Sequence, residues 1–311
     1  MNDIIIIGAG PIGIYSATLA SLHNLKGLVI ETLDNVGGQL TSLYPEKEII
    51  DIPGFNNITA KEFIKKLLDQ QKNKDNSLPI HLEEEFISYE KKGNYFEVIT
   101  NKNTYQTKTI LLTTGMGKFS PRKLDLDQGD YQNILYSIKD LSSFKNKNIV
   151  ILGGGDSAVD WANALSKNNI VSIVHRRDEF RAKQDSVNQL ANNNVNILKP
   201  FNVNKLISDN SIITSIELTS KLETKTIPLD YLLVNYGLIT SQNKIDLETK
   251  LNAYVVNTFM QTSQEFIFAI GDCCIYSGKV KNITSGLGEA VTAITKIDQI
   301  INPNKNIPTH F

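Results

Sequence analysis

The sequence predicts an α/β protein made of two Rossmann-like dinucleotide-binding domains, one inserted into the other. Two observations carry this. The chain holds two glycine-rich turns, Gly8-Ala9-Gly10-Pro11-Ile12-Gly13 and Gly153-Gly154-Gly155-Asp156-Ser157-Ala158. Each follows a run of branched aliphatics, Ile4-Ile5-Ile6-Ile7 or Ile149-Val150-Ile151-Leu152, and each opens a helical stretch. That is the βαβ pattern of a buried parallel sheet. One such turn is a weak signal. Two in one chain point to two dinucleotides held by one protein, as when a flavin exchanges electrons with a nicotinamide.

The elements follow in order. The first unit starts with a strand over 3–7, a helix over 14–25 and a strand at 28–30 ending on Glu31. Residues 37–58 read as irregular, with Gly37-Gly38-Gln39, Tyr44-Pro45 and Pro53-Gly54-Phe55. Phe63, Ile64, Leu67 and Leu68 fall at helical spacing and predict an amphipathic helix over 60–71. Short strands follow over 86–89, 95–100 and 109–112. The second βαβ unit has its helix over 157–167 and its next strand over 171–175, with further strands over 212–218 and 231–235. The tail returns with a strand over 266–270, Gly271-Asp272 and a helix over 288–301. No low-complexity linker separates the parts. The expected division is therefore 1–117 with 238–311 as one dinucleotide-binding domain, and 118–237 as the other.

Bulk properties agree. A chain of 311 residues is too long for one ordinary core. A net charge of −1 offers no global basic field for nucleic acid or an anionic membrane. No apolar run approaches the ~18 residues of a membrane span, and Met1-Asn2-Asp3 leads straight into a strand rather than a leader. Cys273 and Cys274 are the only cysteines, and sequence neighbours rarely form a good disulfide. A reducing cytoplasm is the expected setting.

Each glycine has a task in the first turn. Gly8 permits the tight bend, Gly10 lets a pyrophosphate approach the backbone, and Gly13 lets helix and strand pack closely. Glu31 stands where a carboxylate accepts from ribose hydroxyls. In the second turn Gly153 and Gly155 play the first two parts, and Ala158 replaces the third glycine. Its second strand ends differently, on His175-Arg176-Arg177 with Arg181 beyond. Guanidinium groups there favour a 2′-phosphate, hence NADP(H) over NAD(H). Thr262, then four residues, then the apolar Ile267-Phe268-Ala269-Ile270 and Gly271-Asp272, looks like a flavin ribityl contact through Asp272. The stretch 279–290 opens a helix whose N-terminus suits an anionic flavin ring. No Cys-x-x-Cys occurs, so no dithiol relays electrons to a disulfide. His23, His81, His175 and His310 show no metal-ligand spacing, so no metal is expected.

These residues resemble the ferredoxin–NADP reductases of the thioredoxin-reductase-like type. The resemblance rests on Gly37-Gly38-Gln39-Leu40 with Leu43-Tyr44-Pro45-Glu46-Lys47, on the 175–181 segment, on Leu233-Val234-Asn235-Tyr236-Gly237, and on Gly278-Lys279-Val280-Lys281 with Gly286-Leu287-Gly288-Glu289-Ala290. It implies a homodimer with FAD and NADPH, and ferredoxin or a similar one-electron carrier as partner. A hydride would reach flavin N5 and electrons would leave singly. By motif, Glu31, Gln39, Tyr44, Phe86, Phe119 and Asp272 contact FAD. Tyr44 stacks on one flavin face, and His310 covers the other from a partner subunit. No side chain is required as a general acid or base. Two other readings stay open: an NADPH-dependent flavin reductase with a flavodoxin, quinone or small-disulfide acceptor, and a non-catalytic nucleotide sensor.

Overall fold

The computed structural model describes residues 1–126, 130–138, 140–241 and 245–305, without the side chains of residues 118, 119, 240 and 241. The chain forms two compact units, Met1–Lys118 with Thr240–Phe311, and Phe119–Ile239. The two passages between them, Lys118–Pro121 and Leu238–Ser241, are strands that pair with each other. The helices are α1 (Pro11–Leu22), α2 (Gln39–Ser42), α3 (Ala60–Lys72), α4 (Asp156–Leu165), α5 (Gln184–Asn192) and α6 (Ile283–Ile301).

In the first unit parallel strands run in the order Ile80–His81, Gly27–Ile30, Asn2–Ile7, Thr104–Leu112. Ile267–Ala269 joins Thr104–Leu112 in parallel, and Tyr95–Thr100 and Phe86–Lys92 return antiparallel. The isoleucines of the first strand are buried on both faces, which is why they show no alternation with polar residues. Pro11 opens α1 at a position where no donor is wasted. Small residues alternate with Ile, Tyr and Leu in this helix, and its Ser16, Thr18 and Ser21 hydroxyls donate to main-chain carbonyls one turn back. It stops three residues earlier than the apolar spacing predicts, because Asn24 turns left-handed at φ 60°. Helix α3 begins with a capping box: Thr59 accepts from the Glu62 N–H, and the Glu62 carboxylate accepts from the Thr59 N–H.

Helix α6 starts five residues before the sequence suggests. Thr284, Ser285 and Gly286 are poor helix formers, but the Asn282 side chain accepts from the Ser285 N–H at 2.8 Å and caps the first turn. Further along, Asp298 is fully buried. Its carboxylate lies 2.7 Å from His23 Nδ1 and accepts from Asn302 Nδ2 at 2.7 Å and Lys305 Nζ at 2.9 Å. Burial pushes this carboxyl up, but the three partners outweigh burial and hold it below the ordinary 3.8. A lowered native value means that the stabilisation is complete above the ordinary value and is lost as pH falls through the native one. Asp298→Asn is therefore expected to cost about 2 kcal/mol at neutral pH. The gap from wild type narrows as the pH falls below about 4. Urea unfolding across pH measures it, and a pH-independent gap refutes the assignment.

The second unit carries a parallel sheet in the order Ile134–Leu135, Tyr231–Val234, Asn148–Leu152, Ile170–Val174, Asn196–Leu198. One face packs on α4 and α5 through Val159, Trp161, Ala162 and Leu190. The other face packs on an antiparallel sheet of Asn202–Asp209, Ile212–Thr219 and Thr224–Pro228 through Leu206, Ile213, Ile216 and Leu218.

Candidate dinucleotide sites

Around the first turn the backbone leaves little freedom. Gly8 has φ +107°, and a Cβ there would stand 2.8 Å from the Thr113 carbonyl oxygen. The Thr113 hydroxyl donates to the Ile7 and Gly8 carbonyls at 3.0 and 2.8 Å. A Cβ on Gly13 would overlap the Gly8 carbonyl oxygen. Gly10, by contrast, is the N-cap of α1, and its missing Cβ would face open space. No side chain caps the helix there, so its first-turn N–H groups are left for an anion.

The flanking segments close on this turn. The Gly37 N–H donates to the Ala9 carbonyl at 2.7 Å, and a Cβ on Gly38 would lie 3.5 Å from Gly10 Cα. Glu31 is 8% exposed, and its two carboxylate oxygens accept from the Ala9 and Leu33 N–H groups at 2.7 and 2.9 Å. Burial pushes its carboxyl up, and the main-chain donors oppose that. Each oxygen keeps a further lone pair for a hydroxyl.

Helix α6 meets α1 and the Gly271 turn at one point. A Cβ on Gly286 would stand 2.7 Å from Ile12 Cδ1 and 3.6 Å from Gly271 Cα. Asp272 follows, half-buried, with no hydrogen-bond or ion-pair partner among the described residues. Gln39 opens α2. Tyr44 is half-buried, with Lys47 Nζ 5.9 Å from its ring centroid. Its loop is fastened to the start of α3 where the Lys61 N–H donates to the Pro45 carbonyl at 2.9 Å. The Phe86 ring is 3% exposed and packs in the core, so its reach toward a ligand is through the main chain. Phe119 lies in Lys118–Pro121 but its side chain is outside the described residues, as is all of His310.

The second turn is built for different neighbours. Gly153 has φ +152°, and a Cβ there would meet the Asn235 carbonyl oxygen at 2.5 Å and Ala158 Cβ at 2.9 Å. A Cβ on Gly154 would run into the His175 ring. Gly155 is the N-cap of α4, again with open space and no side-chain cap. The His175 ring stacks on Phe180, 5.5 Å between centroids at 24°. Burial first, then the charges of Arg177, Arg176 and Arg181, hold His175 below its ordinary value against a main-chain hydrogen bond with Glu179. A neutral His175 leaves the positive charge to the arginines. Arg176, Arg177 and Arg181 are exposed and have no partner among the described residues. The Arg181 N–H donates to the Gly154 carbonyl at 2.6 Å, which folds the arginine segment back over the turn.

Two buried polar atoms beside this turn, His175 Nε2 and Asn235 Oδ1, have no hydrogen-bond partner among the described residues. Such orphans are costly unless a ligand satisfies them. Asn235 directly follows the strand Tyr231–Val234, and that position is its signal in the sequence.

Cys273 and Cys274 are fully buried. Burial pushes the Cys273 thiol up to about 11, and burial, with Glu289 beside it, raises that of Cys274. Both thiols should resist iodoacetamide in the native protein and react only after unfolding; native labelling refutes this. Among the described residues no three His, Cys, Asp or Glu side chains converge as a metal site, and no helix is long and apolar enough to cross a membrane.

The residues present thus fit two phosphate-bearing nucleotides. The family model of the pyridine nucleotide-disulphide oxidoreductases matches residues 2–296. The chain belongs to that family. Within it, a ferredoxin–NADP reductase of Streptococcus pneumoniae serotype 2 is 41% identical, covering 100% of this chain and 98% of the relative. One of Streptococcus gordonii is 40% identical with the same coverage. Among solved structures, Lactococcus lactis thioredoxin reductase superposes with a TM-score of 0.79 at 24% identity, covering 97% of this chain and 99% of that one. The bacillithiol disulfide reductase of Staphylococcus aureus gives 0.74 at 18% identity, over 98% and 99%. These last two establish the shared fold of this oxidoreductase family.

Proposed function

We propose that this oxidoreductase is a flavoprotein that takes reducing equivalents from NADPH and passes electrons to ferredoxin or a similar one-electron carrier. The observation that carries the reading is the contrast between the two turns. One is bracketed by a buried carboxylate, Glu31, suited to the ribose of FAD; the other is flanked by three unpaired arginines, suited to the 2′-phosphate of NADPH. The division into an FAD-binding part, 1–117 with 238–311, and an NADP-binding part, 118–237, follows from it.

The bound flavin supplies the redox chemistry, converting between a two-electron donor and a one-electron acceptor. The chain supplies binding and orientation. Gly8, Gly10 and Gly13 admit the pyrophosphate at the start of α1, Glu31 accepts from ribose hydroxyls, and Asp272 accepts from the ribityl chain. Gln39 and the Phe86 main chain line the same site, and Tyr44 covers a flavin face; Phe119 and His310, expected there by resemblance, have side chains outside the described residues. In the second unit Gly153, Gly155 and Ala158 hold the pyrophosphate, His175 packs beside it, and Arg176, Arg177 and Arg181 clasp the phosphate.

A ferredoxin-type acceptor is supported by the full-length relatives that bear that name and by the lack of any Cys-x-x-Cys relay. We place the protein in a reducing cytoplasm as a homodimer, which light scattering tests. Function is tested by adding NADPH anaerobically and watching the visible flavin band. Bleaching is expected; its absence sinks the enzyme reading in favour of a nucleotide sensor. Ferredoxin-dependent reduction of cytochrome c then tests the acceptor. A rate only with quinones, flavodoxin or small disulfides would replace ferredoxin.

A further inference from the structure

We propose that Glu289 is the positioning residue of the flavin site: it locks the Gly271 peptide and thereby aims Asp272. The inference rests on the FAD reading given above. Glu289 lies on α6 and is 4% exposed. Its Oε2 accepts from the Gly271 N–H at 2.7 Å, with the Cys274 thiol at 3.7 Å. Its Oε1 accepts from the Tyr276 hydroxyl at 2.8 Å and from the ammonium of Lys279, whose side chain is also 4% exposed. All four donors come from one loop, residues 271–279. A single buried carboxylate thus fastens that loop to one helix at its start, middle and end.

Stability alone does not account for this arrangement. Two charges removed from water recover little net energy from each other, and apolar residues of similar volume commonly stabilise as well. What the carboxylate supplies that an apolar side chain cannot is a fixed direction for the Gly271 N–H. Gly271 sits at φ +73°, a conformation a side-chain-bearing residue rarely adopts, and a Cβ on it would lie 3.6 Å from Ile12 Cγ1. The next residue is Asp272, whose carboxylate has no partner among the described residues. If the Gly271 peptide rotates, Asp272 swings away from the ribityl hydroxyls, while the core beneath is undisturbed.

The test compares two double variants that both remove the buried charges. Lys279→Met with Glu289→Gln keeps an amide oxygen for the Gly271 N–H; Lys279→Met with Glu289→Leu does not. FAD affinity is read by flavin fluorescence on binding to apoprotein, alongside thermal midpoints with and without FAD and the visible circular dichroism of the bound flavin. The glutamine variant is expected to stay within about threefold of wild type, and the leucine variant to lose about tenfold or more, for one unsatisfied hydrogen bond. The shift of midpoint produced by FAD shrinks in the leucine variant alone. Equal affinities in the two variants overturn the proposal, because a merely structural carboxylate would treat both alike. If the leucine variant does not fold, the glutamine variant decides: a loss beyond tenfold overturns it. A wild-type protein that binds no FAD removes the flavin reading itself. A wild type that binds FAD beside two equal variants removes only the role of Glu289.

Discussion

Replacing Arg176 and Arg177 with alanine is expected to raise the KM for NADPH by about a hundredfold and the KM for NADH by less than about threefold. Both guanidinium groups are exposed and without a partner among the described residues, so their loss leaves no buried charge behind and the fold should be untouched. Their binding energy is available in full to a phosphate that NADH lacks. A charge-assisted contact of this kind contributes about 1.5–3 kcal/mol; two solvent-exposed ones at the lower end give about 3 kcal/mol, on the order of the hundredfold stated. The interaction is made equally in the ground and transition states, so kcat should stay close to wild type. Because the site is exposed, added salt should raise the wild-type KM for NADPH and flatten in the double variant. Steady-state kinetics with both nucleotides at two ionic strengths measure this. Equal losses for NADPH and NADH would show that these arginines do not read the 2′ substituent.

The parts of this protein that are legible in its sequence are those set by short-range backbone physics. Ile4 to Ile7 with Gly8, and Ile149 to Leu152 with Gly153, encode a strand and the bend after it within a few residues. Glu31 and Arg176 are legible because each stands at a strand end whose distance from its turn is set by one helix. The rest depends on partners remote in the chain. Helix α5 escapes notice because only Leu190 of it is fully buried and, Val187 and Ala191 apart, the remainder is polar. The start of α6 escapes because its helix-breaking Gly286 is demanded by Ile12, far away in sequence. Glu289 looks like any helical glutamate until the fold brings Gly271 and Lys279 to it, and Asp298 becomes notable only beside His23. Gly154 is a further case: the sequence offers a glycine between Gly153 and Gly155 without a reason, and the reason is the His175 ring lying where its Cβ would be.

The glycines of the first turn give the sharpest separation between fold and binding. Gly13→Ala is expected to damage both. Its methyl would overlap the Gly8 carbonyl oxygen and stand 2.8 Å from Thr113 Oγ1, so α1 must move off the first strand. Overpacking of this kind costs about 1–3 kcal/mol, and urea unfolding of the apoprotein should show it. The same displacement spoils the pyrophosphate cradle, so the variant should purify with little FAD. Gly10→Ala is the contrast. Gly10 has φ −68° and ψ −179°, which alanine adopts freely, and its Cβ would meet nothing within 4 Å. Apoprotein stability should fall by no more than about 1 kcal/mol, the difference between glycine and alanine as a helix cap. FAD affinity should nevertheless drop about a hundredfold, because the methyl occupies the approach of a phosphate to uncapped N–H groups. The open space at Gly10 is thus a property the fold does not need and a ligand does. Normal FAD affinity in Gly10→Ala would mean that the pyrophosphate does not lie there. Undiminished stability in Gly13→Ala would mean that α1 and the first strand are not in the close contact described.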